Sequence, residues 1–238
     1  QLLLLSGPAH LRVGFGLFFF IIQAYLIVRL TGLYNILEKR TYFSAYIFMF
    51  SLAAIGILRD FQPALIAAVF LLLALHRIFS TYEKEKAYAN FFDSAFLISI
   101  GSLFYFNAIY CFFIVFVGLS VFRVFNWREW VIVIIGFGLP YFFLFSYHYI
   151  YHADWQYVFV LLEKQFEYNR NYVLLSNQKI PELAFLAYFI ILILLSLRYF
   201  FSLKSLEVVV RKYYLVFVWL LVLLALFYFF IGSVSIEI

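Results

Sequence analysis

Apolar runs of 15 to 23 residues follow one another along this chain, separated by short polar stretches. A helix rises 1.5 Å per residue, so roughly 20 apolar residues cross a hydrocarbon core of about 30 Å. Eight runs approach that length: Leu11 to Leu33, Tyr42 to Leu58, Phe61 to Phe79, Phe91 to Phe106, Ala108 to Phe122, Trp130 to Tyr151, Pro181 to Leu203 and Lys212 to Ile231. They are continuous rather than alternating, which predicts helices and not barrel strands. The expected architecture is all-α, a polytopic transmembrane helix bundle of about eight spans forming a single domain over residues 1–238.

Composition agrees with that solvent. Hydrophobic residues make up 67% of the chain and charged residues 12%, where a soluble domain is near half apolar and a quarter charged. Aromatics reach 24%, with 34 Phe and 20 Tyr, and lipid-facing and interfacial positions accept such side chains. Cys111 is the one cysteine, so no intrachain disulfide forms and it reads as a small buried hydrophobe. The net charge of +5 comes from basic residues scattered singly or in pairs between apolar runs. That pattern sets membrane orientation and excludes nucleic acid as the expected partner. The chain opens at Gln1 without a Met, which suggests that the natural protein has an earlier segment, a removed signal peptide being the alternative.

Short cytoplasmic loops retain Lys and Arg. With connections assigned alternately to two sides, twelve of the 17 Lys and Arg fall on one side, from Arg29, Lys39 and Arg40 through Arg77, Arg123 and Arg128 to Arg211 and Lys212. That side is placed in the cytoplasm, and Gln1 and Ile238 then both face outward. The pair from Phe91 to Phe122, turning at Asn107, reads either as two thin spans or as a re-entrant pair. In the long external stretch from His152 to Ile180, Trp155, Val158, Phe159, Leu162 and Phe166 recur at helical spacing with Gln156, Glu163, Lys164 and Glu167 between them. This predicts one external amphipathic helix at the membrane surface.

Residues that could carry chemistry are few. His148 and His152 are four apart, with Asp154 nearby, so a helix would put both imidazoles on one face as metal ligands require. The motif lacks the intervening Glu of a metalloprotease, and Tyr147, Tyr149 and Tyr151 surround it, so interfacial anchoring is the favoured reading. Arg59 and Asp60 sit in a short external turn. A helix-end ion pair with Asp60 as N-cap competes there with a catalytic role for Asp60 and a substrate-binding role for Arg59. Asp93 reads as an acid favoured by a helix N-terminus, with a vestibule beside Arg77 or Lys84 as its rival. In the elbow Arg123-Val124-Phe125-Asn126-Trp127-Arg128-Glu129-Trp130, the rings of Trp127 and Trp130 and the charge of Arg128 belong at headgroup level, as does Trp155 further on. Anionic lipid binding is a variant of that anchoring. Gly136, Gly138 and Pro140 interrupt one run and read as packing features. No phosphate-binding loop or cysteine cluster is evident, and no cofactor is expected.

The motifs Lys39-Arg40-Thr41-Tyr42, Phe92-Asp93-Ser94-Ala95-Phe96, Ser102-Leu103-Phe104-Tyr105-Phe106, Asn126-Trp127-Arg128-Glu129-Trp130 and Gly138-Leu139-Pro140-Tyr141 resemble an uncharacterised group of polytopic inner-membrane proteins of Gram-negative bacteria. Those bacteria carry envelope-glycan and surface-secretion systems. The likeness spans residues 35–150 and implies an inner-membrane, multi-pass location, in which the Lys and Arg count puts Gln1 and Ile238 on the periplasmic side. It carries over no catalytic residue. More distantly, the pair from Phe91 to Phe122 is similar to a helix pair of multi-spanning glycosyltransferases that use polyprenyl-phosphate sugars. The external acidic loop of those enzymes would fall before Gln1. The expected function is a non-enzymatic subunit or scaffold of a membrane assembly, with the bilayer and other membrane subunits as partners. The alternatives are a glycosyltransferase-like protein acting on a lipid-linked sugar, and a transporter.

Overall fold

The computed structural model describes residues 9–36, 42–55, 62–82, 87–123, 126–152, 190–198 and 208–234. Among them every regular element is helical: α1 (Ala9–Leu33), α2 (Phe43–Ile55), α3 (Pro63–Phe79), α4 (Tyr88–Phe104), a 3₁₀ helix η1 (Phe106–Phe112), α5 (Phe113–Val121), α6 (Trp127–His152) and α7 (Val208–Val234). Residues 190–198 are helical too. Three of these helices contain stretches long and apolar enough to cross a membrane, at Val13–Leu33, Trp127–Ile150 and Val208–Leu226.

Local chemistry sets the helix ends. Asn35 adopts a left-handed φ of 47°, and beyond it the Ile36 N–H returns 3.2 Å to the Thr31 carbonyl. This is a Schellman closure of α1 with asparagine in the position that tolerates positive φ. Gln62 is extended and Pro63 occupies the first turn of α3, where its missing N–H costs nothing. His76 and Arg77 lie in the last turn of α3, facing the negative end of its dipole.

α4 is the hub, with α3 on one flank, α6 on another and η1 following it. Small residues make this possible. A Cβ on Gly101 would lie 3.2 Å from the Phe70 Cβ of α3, and one on Gly136 of α6 would lie 2.9 Å from the Phe92 carbonyl oxygen of α4. Two hydroxyls cross the second seam. Ser99 donates to the Phe137 carbonyl at 2.6 Å, and Ser102 lies 2.7 Å from the Tyr141 hydroxyl. Pro140 lies inside α6 and cannot donate to the Gly136 carbonyl one turn back; the two seam hydroxyls bond to Phe137 and Tyr141 on either side of this interruption. On the other flank Gln23, buried in mid-α1, donates 2.7 Å to the Leu65 carbonyl at the start of α3.

The pair flagged around Asn107 turns at Tyr105, which is extended at φ −137° and ψ 104°. Its return leg is not one α helix as expected, because it begins as the 3₁₀ helix. A 3₁₀ residue rises about 2.0 Å against 1.5 Å for an α residue. The 16 residues of η1 and α5 therefore reach about 27 Å, matching the roughly 25 Å of the 17-residue α4. Ile114, Val115 and Leu119 of α5 are fully buried with Phe91 and Val216 in the core.

Candidate functional site: the charged, aromatic end of the bundle

The C-terminal ends of α1, α3 and α5 and the N-terminal ends of α4, α6 and α7 meet at one end of the bundle. Tyr213, in the second turn of α7, packs against the ends of α1, α3 and α5. Its buried ring lies 5.1 Å from Tyr34, 4.8 Å from Phe79, 6.3 Å from Tyr82 and 6.1 Å from Phe122, centroid to centroid. Edge-on and tilted contacts of this kind suit the quadrupoles of aromatic rings. Beside it the Tyr214 hydroxyl donates 3.0 Å to the Ile36 carbonyl just past α1, and the Lys212 ammonium sits 4.9 Å from the Tyr82 ring centroid, within cation–π range.

Polar chemistry gathers in the same place. The Tyr34 hydroxyl lies 2.9 Å from the His76 Nδ1 and 2.9 Å from the His76 carbonyl oxygen. Burial pushes the Tyr34 phenol up to about 12, with Tyr213 acting in the same direction and Arg77 and Arg29 opposing it. Removing a phenol from water disfavours its anion more than the nearby guanidinium groups favour it. Arg77 also reaches Asp93, Nε to Oδ2, at 3.5 Å with both side chains about half exposed. A pair as wet as this contributes little stability and orients its partners. Asp93 lies beyond the first turn of α4, which begins at Tyr88 and carries no acid there. The Arg77 contact, not the helix N-terminus, is what the structure provides for it.

The residues singled out from the sequence are distributed differently. Trp127 and Arg128 are exposed at the start of α6, and the partly exposed ring of Trp130 lies 5.3 Å from Phe116. His148 is half-buried near the far end of α6, against the edge of Tyr147, and His152 is the last residue of that helix. Arg59, Asp60, Asp154, Trp155 and the expected amphipathic helix lie outside the described residues. Among the described residues, no three His, Cys, Asp or Glu side chains come together as a metal site.

Sequence reading missed Tyr34, His76 and Tyr213, which are ordinary aromatic residues until folding joins positions 42 and 134 or more apart. It also missed Gln23, although a lone amide inside an apolar run is a visible signal. Nor does the sequence of the elbow single out Glu129, which is 6% exposed, with its Oε2 buried without a hydrogen-bond partner. Compared with protein-family models, curated proteins and solved structures, the chain gives no match.

Proposed function

We propose that this chain is a non-enzymatic, multi-pass subunit or scaffold of a bacterial inner-membrane assembly. In this reading it has about eight spans, its basic end lies in the cytoplasm, and Gln1, Ile238 and an amphipathic helix near residues 155–167 lie on the periplasmic side. The observation that carries the proposal is the outward surface of the long helices. Only 17% of the apolar stretch of α6 is buried within the chain. Val131, Ile134, Ile135, Phe142, Phe143 and Ile150 are left exposed along it. The opposite face, through Val133, Gly136 and Pro140, is spent on α4. Such a surface is suited to lipid and to partner helices, which associate through packing.

The polar groups inside the bundle support a structural role, since Gln23, Ser99 and Ser102 each hydrogen-bond within the bundle. Purification of the full chain in mild detergent tests the reading. A stoichiometric membrane partner is the expected result, and a lone monomer with no co-purifying subunit would remove the proposal.

A further inference from the structure

The elbow joining α5 to α6 concentrates exposed cations and indoles. Arg123 closes α5 with its N–H 3.2 Å from the Ser120 carbonyl and stands at a positive φ of 60°. That backbone region costs a non-glycine residue about 1 kcal/mol. Arg123 and Arg128 are both exposed, and Trp127 between them is 72% exposed. The one acid of the elbow, Glu129, is withdrawn from this surface. It is 6% exposed and takes a hydrogen bond from the Asn126 side chain. Among the described residues neither guanidinium group has an ion-pair partner, and the two flank the exposed Trp127 in the sequence.

We propose that this elbow binds the phosphate-bearing headgroups of anionic phospholipids in preference to zwitterionic ones. A guanidinium matches phosphate with paired N–H donors, and an indole sits at the boundary between headgroup and acyl chain. Simple interfacial anchoring would use the same tryptophans without discriminating lipid charge. The withdrawn carboxylate and the two exposed arginines are what distinguish the two. The proposal rests on the membrane reading of the chain and is independent of whether the protein is a subunit of something larger.

The test is fluorescence quenching by brominated lipids in vesicles of phosphatidylcholine with or without phosphatidylglycerol. It uses the full chain with Trp155→Phe and Trp219→Phe, so that Trp127 and Trp130 report. Each basic residue at an anionic surface strengthens association about fivefold. Brominated phosphatidylglycerol should therefore associate with the elbow at least about tenfold more strongly than brominated phosphatidylcholine. Arg123→Gln with Arg128→Gln should bring the ratio close to one, and high salt should lower it in the parent protein. A companion variant keeping only Trp219 should show no comparable preference. Equal quenching by both lipids would overturn the proposal and leave the membrane reading standing. Quenching by neither would overturn both.

Discussion

The hydroxyl of Tyr34 is held 2.9 Å from both the Nδ1 and the carbonyl oxygen of His76, so one phenol at the end of α1 grips the last turn of α3 twice. A hydroxyl has one proton, and a carbonyl can only accept. When Tyr34 donates to the carbonyl, His76 Nδ1 must carry a proton and donate to the phenol oxygen. Tyr34→Phe removes both bonds and keeps the ring contacts with Phe79 and Tyr213. The expected loss is about 1 kcal/mol, read as a lower unfolding midpoint in detergent. Unchanged stability would show that the ring alone does the holding.

The same residue gives a pH dependence whose sign is fixed. The folded-state phenol titrates at about 12 against an ordinary value of 10.0, so the folded protein holds its proton more tightly than the unfolded chain. That stabilisation is fully present below pH 10 and is lost as pH rises through about 12. Between those limits the wild-type midpoint should fall more steeply than that of Tyr34→Phe. Parallel curves would rule out the coupling.

Two glycines two residues apart on α6 should respond unequally to substitution. At Gly136 a methyl group would come within 2.9 Å of the Phe92 carbonyl oxygen and 3.0 Å of its ring, whereas Gly138 has nothing within 4 Å. Gly136→Ala is expected to push α6 away from α4 and to cost about 1–3 kcal/mol. Gly138→Ala should cost nothing measurable. Thermal unfolding of the two variants side by side decides the matter, and equal effects would contradict the packing of this seam.

Gln23→Leu keeps the bulk in mid-α1 while deleting the 2.7 Å bond to the Leu65 carbonyl. Interhelical hydrogen bonds in membranes contribute about 0.6–2 kcal/mol. The substitution should therefore destabilise by no more than about 2 kcal/mol. A larger loss would mean that Gln23 has a role beyond clasping α1 to α3.

Orientation is open to a direct experiment. Cysteine introduced at Asn171 should react with an impermeant reagent added outside intact cells, and cysteine at Ser205 should not. Equal labelling at both positions would reverse or abolish the proposed topology.

The helical class, and the presence of helices long and apolar enough to cross a membrane, were legible because both follow from properties that survive without a fold. A run such as Leu11 to Leu33 is as apolar in the unfolded chain as in α1, and the backbone inside it must satisfy its own hydrogen bonds. The end of α3 at Phe79 coincides with the end of the apolar run from Phe61, but its N-cap is Gln62 and not Asp60, because Pro63 takes the first turn. The 3₁₀ start of the return leg was not legible, because nothing local to Phe106–Phe112 separates it from an α helix. The run from Ala108 to Phe122 is therefore 3₁₀ as far as Phe112 and α-helical from Phe113 to Val121.

What the sequence determined by itself was where the chain is greasy, where it is charged, and that its long segments are helices. Only the tertiary structure decided which polar side chains matter. Gln23, Ser99 and the Tyr34–His76–Tyr213 group owe their partners to helices remote in sequence. The physical reason is that hydropathy is a sum over one segment, whereas a hydrogen bond or a close glycine contact is a distance between two. Gly136 and Gly138 are the same residue in the same helix, and only the position of α4 makes one of them a contact.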